Sequence, residues 1–514
     1  MSSWTEGYVE GLDYVHVYTP EFNPMRVGPN FLYAGVVAPK IRRVCELGFG
    51  QGWSANIYAA ASTIEWFGTD FNPAQASYAQ EVAAASGAAA TFVGQSFAEF
   101  CSRSDLPDFD YIVLHGVWSW TNDENRALIV DFIRRKLTVG GVLYVSYNTP
   151  PGDAAFMPIR EVLIEHAEWM GAPAHDMTGR IDGALSFADE LIAACPDYAK
   201  ANPQIVERLE KMKGKGHSYV AHEYFNRDWA PMSFARMTEW LEPAKLSYAC
   251  SANFSRMLDE WNLSPEQQAL LARISDTKFR ETVRDVMLGT RFRRDYWVKG
   301  LRRLTLSDRL DRLRRLPVIF NRPRSLAAVK ATALKGIFEP PSSIGNPILD
   351  AIADYQPRTL GQIEQAVKGA GIDFTNVLQA TMTMIETGDL SSVQSADVVE
   401  AARKQTDRLN AFHTEQLRYR VGLSALASPV TGGGILEAGR ALQFFWHAVR
   451  QGKIRPADVA SHAAQMLRMD DVAVPEEDKL LVLLQSLEQH PSAMQAVTFF
   501  TETTVPLFKA LQIV

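Results

Sequence analysis

Between residues 40 and 150, short apolar runs alternate with stretches of helical periodicity. Arg43–Gly48, Thr63–Asp70, Ala90–Gly94, Phe109–His115 and Gly141–Tyr147 read as strands. The fourth is almost continuously apolar, which suits a strand covered on both faces. Helices are predicted between them. Trp53–Ala61 is a short helical stretch, and Pro73–Ser86 is alanine-rich. Asn72 is the N-cap of the latter, Pro73 its first helical position and Gly87 its stop. Asn122 caps a further helix running to about Leu137. Five strands separated by helices predict an α/β fold with a parallel, doubly wound sheet.

After Pro150-Pro151-Gly152 the pattern turns helical, and residues 153–216 read as an insertion. Apolar stretches at Ser218–Ala221 and Lys245–Ala249 are expected to return to the sheet, so 217–255 completes the core. Residues 256–340 form a basic, helical middle region, with Leu301, Leu304, Leu310 and Leu313 at helical spacing. In 341–396, three helices (Ile348–Tyr355, one capped by Thr359 and reaching Ala370, one starting at Asn376) and a short strand within Gly388–Val393 predict a winged-helix-like module. Residues 397–514 read as helical apart from the loop 428–434, and 1–39 as an N-terminal extension.

At 514 residues the chain exceeds a single small module, since domains average about 150 residues. Its hydrophobic share of 47% and charged share of 22% are those of a globular protein. The net charge of −7 argues against a surface built for nucleic acid. Residues 276–324 go the other way, with 15 Lys and Arg against 6 Asp and Glu, but their leucine spacing favours a salt-bridged helix packed on the protein. Four cysteines without a C-x-x-C pair make neither a disulfide framework nor a zinc knuckle. No metal is expected. Neither a signal peptide nor a membrane span is predicted, so the expected location is the cytoplasm.

The segment that carries chemistry is Glu46-Leu-Gly48-Phe-Gly50-Gln-Gly52, leaving the first strand for a helix. Glycines there allow a tight turn and let backbone approach a ligand without a Cβ in the way. The G-x-G-x-G spacing is one residue shorter than the dinucleotide fingerprint. With Glu46 ahead of it, it suits a ligand with an aminoacyl tail and no pyrophosphate. Asp70 ends the second strand, where an acid accepts both hydroxyls of a ribose. Gln95, Ser96 and Phe97 end the third strand, where an adenine rests, and His115 ends the fourth. All lie at carboxyl ends of strands, the edge where open α/β sheets bind ligands.

Residues 40–150 resemble class I S-adenosylmethionine-dependent methyltransferases. They are closer still to bacterial methyltransferases with a methyltransferase regulatory domain, which include rickettsial protein lysine methyltransferases. Glu46–Gly52, Gly68-Thr-Asp-Phe-Asn-Pro73, His115-Gly-Val-Trp-Ser-Trp120, Val145-Ser-Tyr-Asn148 with Pro151-Gly152, and His222-Glu-Tyr-Phe-Asn226 carry the resemblance. It implies a Rossmann-like sheet, helical C-terminal domains and a homodimer, for which the insertion is a candidate contact. It places Glu46, Gly48, Gly50 and Gly52 around the methionine part of the cofactor. Asp70 would hold the ribose, flanked by Phe71 and Asn72, and Gln95, Ser96 and Phe97 would meet the adenine. The product is S-adenosylhomocysteine. Many amino-group methyltransferases carry Asn/Asp-Pro-Pro-Tyr/Phe after the fourth strand. His115-Gly-Val-Trp118 stands here instead, which argues against nucleobase amines.

Methyl transfer from a sulfonium needs positioning and exclusion of water more than chemical activation. Aromatic rings suit the sulfonium and a methylated ammonium, so Tyr14, Tyr18, Trp118, Trp120, Tyr147 and Tyr224 are candidates. Trp118 and Tyr147 are expected at the pocket mouth, and Tyr18–Pro24 as a lid over the cofactor. His115 is a candidate base or acceptor-orienting group, and His222 and Glu223 are a candidate base pair. On a strand, only one of His222 and Glu223 would face the site. The expected activity is methylation of a macromolecule, foremost protein lysine. Methylation of a sugar or other small metabolite, and a cofactor-binding regulatory protein without turnover, are the alternatives.

Overall fold

The computed structural model describes residues 7–9, 12, 14, 16–171, 176–333, 336–416, 425–435, 440–468 and 491–514. The strand signals of the N-terminal half become β1 (Arg43–Leu47), β2 (Glu65–Asp70), β3 (Ala90–Gly94), β4 (Phe109–Leu114) and β5 (Leu137–Asn148). They pair in parallel in the order β3-β2-β1-β4-β5. In β4, Tyr111, Ile112, Val113 and Leu114 are all fully buried, as its unbroken apolar run requires. The order reverses between β1 and β4, so a crevice opens at the carboxyl ends of these strands.

The helices α1 (Pro24–Tyr33), α2 (Trp53–Ala60), α3 (Pro73–Ser86), α4 (Phe97–Cys101) and α5 (Asp123–Lys136) flank this sheet. Their caps are those expected. Asn72 Oδ1 accepts from the backbone N–H of Ala74 and Gln75, and Asn122 Oδ1 from that of Asn125. Every residue of α2 is buried, because the helix Ala396–Gln416 and the hairpin Leu426–Ser428/Gly433–Ile435 cover the side that faces away from the sheet.

Two further strands complete the sheet, one of them from an unexpected place. β6 (Leu246–Ser251) falls where a returning strand was predicted. It does not meet β5. Between them lies β7 (Phe292–Lys299), antiparallel to both, in a stretch expected to be helical. The strand was hidden because two of its inward positions are charged. Arg293 and Asp295 are buried and bonded to each other at 2.7 Å. Arg293 also reaches Asp285 at 2.9 Å and Glu281 at 3.0 Å, and its guanidinium lies 4.5 Å from the Phe234 ring centre. Paired and hydrogen-bonded in this way, the charges tolerate burial.

Ser218–Ala221, the other predicted strand, belongs to the helix His217–Tyr224. Four apolar-leaning residues do not distinguish strand from helix. Val220, Ala221 and Tyr224 lie one helical turn together and pack into the separate core of the insertion, with Leu163, Ile181 and Leu209. The helix Leu306–Arg314 follows β7 in the basic region. Beyond it, helices Ser342–Asp350, Leu360–Val367 and Phe374–Thr387 pack beside a three-stranded antiparallel sheet. Its central strand, Pro317–Phe320, comes from outside 341–396 and pairs with Arg358–Thr359 and Leu390–Ser392. The third helix starts earlier than expected, because Asp373 is its N-cap and Asn376 closes the capping box. Among the described residues no helix is long and apolar enough to cross a membrane.

Asp295 accepts both from Arg293 and from the Tyr147 hydroxyl, at 2.9 Å for the latter. Asp295→Ala leaves the buried Tyr147 hydroxyl without its acceptor and Arg293 with two of its three carboxylates, and is expected to cost about 1–3 kcal/mol of stability, seen as a fall in the urea unfolding midpoint.

Candidate active site

The turn from β1 to α2 is built on glycines at positive φ: Gly48 at 78°, Gly50 at 57° and Gly52 at 65°. A Cβ on Gly48 would lie 2.5 Å from Val117 Cγ2, and one on Gly50 would lie 3.0 Å from the Tyr14 ring. Asp70, at the end of β2, ties this turn to the next. Its Oδ2 accepts from the Gly50 N–H at 2.9 Å and its Oδ1 from the Asn72 N–H at 3.0 Å. Burial pushes the Asp70 carboxyl up to about 6, against the pull of those two donors. Glu46 is also buried, and its Oε2 has no hydrogen-bond partner among the described residues. Burial, and after it the Asp70 charge, push Glu46 up to about 8.

Above these carboxylates lies a cavity of about 530 Å³. It brings together Glu46, Gly48, Gly50, Asp70, Phe71, Gln95, Ser96, Phe97, His115 and His222, all expected from sequence. His115 Nδ1 is 3.0 Å from the Tyr144 hydroxyl, and its ring lies 5.5 Å from Phe22. Burial holds its pKa down to about 4, so the imidazole is neutral. His222 is clasped between Tyr8, stacked at 5.4 Å, and Tyr14, edge-on at 5.1 Å. Its Nε2 lies 3.1 Å from the Leu12 carbonyl and donates to it. Because His222 and Glu223 sit on a helix and not on a strand, both line the cavity.

Six expected site residues do not line it, and one of them, Tyr224, packs into the core of the insertion. Gly52 faces α3, where a Cβ would meet that of Ala79 at 2.6 Å. Asn72 is committed to capping α3. The Tyr18 hydroxyl accepts from the Gly434 N–H at 2.8 Å, which turns the ring away, while Val17, Thr19 and Phe22 of the same segment form one wall. The segment is anchored to α2 by the Thr19 N–H on Ser54 Oγ, at 2.9 Å. Trp118 is fully buried with its Nε1 on Met232 Sδ, and Trp120 of the same 3₁₀ turn reaches the cavity instead. Tyr147 points through the sheet to Asp295, so the alternation of β5 gives the cavity Asn148.

Sequence reading missed Tyr8, Arg291 and Arg294 as lining residues, together with Asn148, which carried part of the resemblance. Arg291 and Arg294 were visible only as a basic run. Each has an acidic partner, Asp153 at 3.2 Å and Glu21 at 3.5 Å. Among the described residues no group of His, Cys, Asp or Glu is arranged to hold a metal.

Comparison with known proteins matches this arrangement. Residues 44–141 fit the family model of a methyltransferase domain, and residues 216–299 that of a predicted methyltransferase regulatory domain. The chain is 34% identical to the uncharacterized protein sll1526 of Synechocystis, over 84% of this chain and 86% of the relative. The chain belongs to the class I S-adenosylmethionine-dependent methyltransferases with a regulatory domain. The uncharacterized protein RP789 of Rickettsia prowazekii is 25% identical over 58% of this chain and 54% of its own. In fold, this methyltransferase is similar to PKMT2 from Rickettsia typhi, with a TM-score of 0.68 and 18% identity, covering 97% of this chain and 99% of that one. It is also similar to PKMT2 in complex with AdoHcy, with a TM-score of 0.66.

The cavity fits the cofactor of this family. S-adenosylmethionine, when bound, supplies a methyl group on a sulfonium. An unpartnered buried carboxylate oxygen, beside backbone that only glycine adopts without strain, suits the ammonium at one end of such a ligand. An ammonium favours the ionised form of Glu46, so ligand binding releases its proton below about pH 8. Affinity for S-adenosylhomocysteine is therefore expected to rise from pH 6 to pH 8 and level off above. Glu46→Gln removes that dependence, as titration calorimetry in buffers of different ionisation enthalpy will show.

Proposed function

We propose that this methyltransferase acts on a macromolecule and that its acceptor is the side-chain amine of a protein lysine. The observation that carries this reading is the charge of the cavity wall. Four carboxylates line it, Glu46, Asp70, Glu223 and Asp228, and its two arginines already have acidic partners. Rings of Tyr8, Tyr14, Phe22, Phe49, Phe71 and Phe292 make up much of the rest. Acidic and aromatic walls suit cations, both a sulfonium and an amine before and after methylation. Further support comes from the likeness to PKMT2, a protein lysine methyltransferase, which extends over the insertion and the C-terminal regions as well as the sheet.

In this reading Glu46 and the Gly48–Gly50 turn hold the methionine part of the cofactor. Asp70 and Phe71 flank the ribose, and Gln95, Ser96 and Phe97 meet the adenine. His115 stays neutral beside Phe22 and closes the reacting end against water. A lysine must lose its proton to attack, and desolvation in such a cavity favours the neutral amine. The same reading takes the enzyme as a cytoplasmic homodimer joined through the insertion, where Trp169 and Met170 stand exposed.

Incubation with methyl-labelled S-adenosylmethionine and bacterial protein extract is expected to place label on protein, at lysine by mass spectrometry. Asp70→Ala should abolish both labelling and cofactor binding. Label confined to small molecules would replace the acceptor assignment with a metabolite. Cofactor binding without S-adenosylhomocysteine formation in any fraction would leave a regulatory protein.

A further inference from the structure

The stretch matched as a regulatory domain, 216–299, is a wall of the cavity. It supplies Tyr219, His222, Glu223, Arg291 and Arg294 across from the glycine turn. Of the ionisable groups there, most have settled partners. His222 Nε2 is on the Leu12 carbonyl, Arg294 is beside Glu21, and Arg291 is beside the fully buried Asp153. Glu223 differs. Its carboxylate shares Arg291 with Asp153, lying 3.4 Å from Arg291 Nη2, and its side chain is 24% exposed.

A second group at this end of the cavity points to an N–H donor. Asn148 ends β5 and is almost wholly buried, yet its Oδ1 has no hydrogen-bond partner among the described residues. Its orientation is fixed, since its Nδ2 donates to Asp153 Oδ2 at 3.0 Å. Asp153 is also bonded to Arg208 at 2.7 Å and to Arg291 at 3.2 Å. Asn148, Asp153, Arg291 and Glu223 thus form one chain of contacts. Two hydrogen-bond acceptors, one of them a carboxylate, stand at its ends.

We propose that Glu223 takes the proton of the acceptor ammonium, that Asn148 Oδ1 holds a remaining N–H of the amine, and that 216–299 is the acceptor-binding half of the active site. This rests on the reading of the acceptor as an amine. The ammonium gives one proton to the Glu223 carboxylate, which leaves a lone pair on nitrogen. That pair forms the N–C bond as the C–S bond breaks and sulfur keeps its electrons. The positive charge passes from sulfur to nitrogen, and the proton on Glu223 leaves to water. One methyl group is transferred and one proton released.

The groups facing Glu223 set when it can act. Arg291, Arg208 and Arg160 favour its charged form, and Asp153 opposes it. Tyr8, Tyr14 and Tyr219 face it from the N-terminal segment and its own helix. Burial outweighs the cations and raises the carboxyl to about 6, so it is an ionised base above that pH.

The test uses the full chain, labelled cofactor and acid-precipitable bacterial protein as acceptor. Wild-type kcat/KM is expected to rise through a group near 6. In Glu223→Gln that limb vanishes, the rate rises only toward the pKa of free lysine, about 10.4, and kcat at pH 7 falls about 100-fold or more. Glu223→Asp recovers part of the rate and the limb. Asn148→Ala raises the acceptor KM. In all three variants S-adenosylhomocysteine binding by calorimetry persists. A Glu223→Gln chain with wild-type kcat and pH profile overturns the assignment, as does one that no longer binds S-adenosylhomocysteine. A wild-type chain that labels no protein removes the amine reading and this assignment with it.

Discussion

Both oxygens of one carboxylate hold this site together. Asp70 accepts from the Gly50 N–H after β1 and from the Asn72 N–H after β2, so two strand-to-helix turns are fastened to a single side chain. The turn it fastens is one that only glycines form without strain. Neither half would keep its shape alone. Without the glycines the N–H groups would not face Asp70, and without Asp70 they would be buried donors lacking an acceptor. Burial in this water-poor crevice disfavours the charge on both acids, and the Asp70 charge adds to the cost of ionising Glu46, so both carboxyls are pushed up. The fold tolerates this where a cationic ligand would reverse the sign of the effect.

The second constraint lies on the other side of the sheet. β7 carries charged residues into a central position, which a sheet accepts only if each charge meets a partner. Arg293 and Asp295 satisfy each other and recruit Asp285, Glu281 and the Tyr147 hydroxyl. The consequence reaches the active site. With Arg293 turned to one face, alternation sends Arg294 to the cavity, and the start of the strand brings Arg291 beside Asp153 and Glu223. A structural ion network thereby decides which charges line this side of the cavity.

The parts of this design that are local in the chain were legible. β1 to β5 announce themselves as apolar runs, Asn72 and Asn122 as caps, and Glu46, Asp70 and Gln95–Phe97 as polar residues at strand ends. Position in a parallel sheet is enough to put such residues in the crevice. What was not legible depends on partners far away in sequence. β7 looks like a solvated basic stretch until its acids are found opposite. Tyr147 and Asn148 are neighbours, and only the register of β5 against β7 says which of them faces the cavity. Trp118 and Trp120 are separated by one residue of a 3₁₀ turn that sends them to different surroundings. The helix at 217–224 was misread because four residues carry too little periodicity, and with it went the geometry of His222 and Glu223.

The C-terminal half is bound into the same logic through α2. A helix after a glycine turn normally shows one face to solvent, but here every residue of α2 is buried. Trp53, at its first position, lines the cavity and also stacks on His413 of the helix Ala396–Gln416, with ring centres 3.7 Å apart. Burial depresses the pKa of His413 to about 3, so this contact stays a neutral stack. Tyr18 clamps the neighbouring hairpin through Gly434. The cavity wall therefore draws on residues near 18, 53, 413 and 434 at once. Removing the C-terminal half would expose an apolar helix and release the wall it supports. The additional domains are in this sense part of the site and not appendages to a self-sufficient catalytic core.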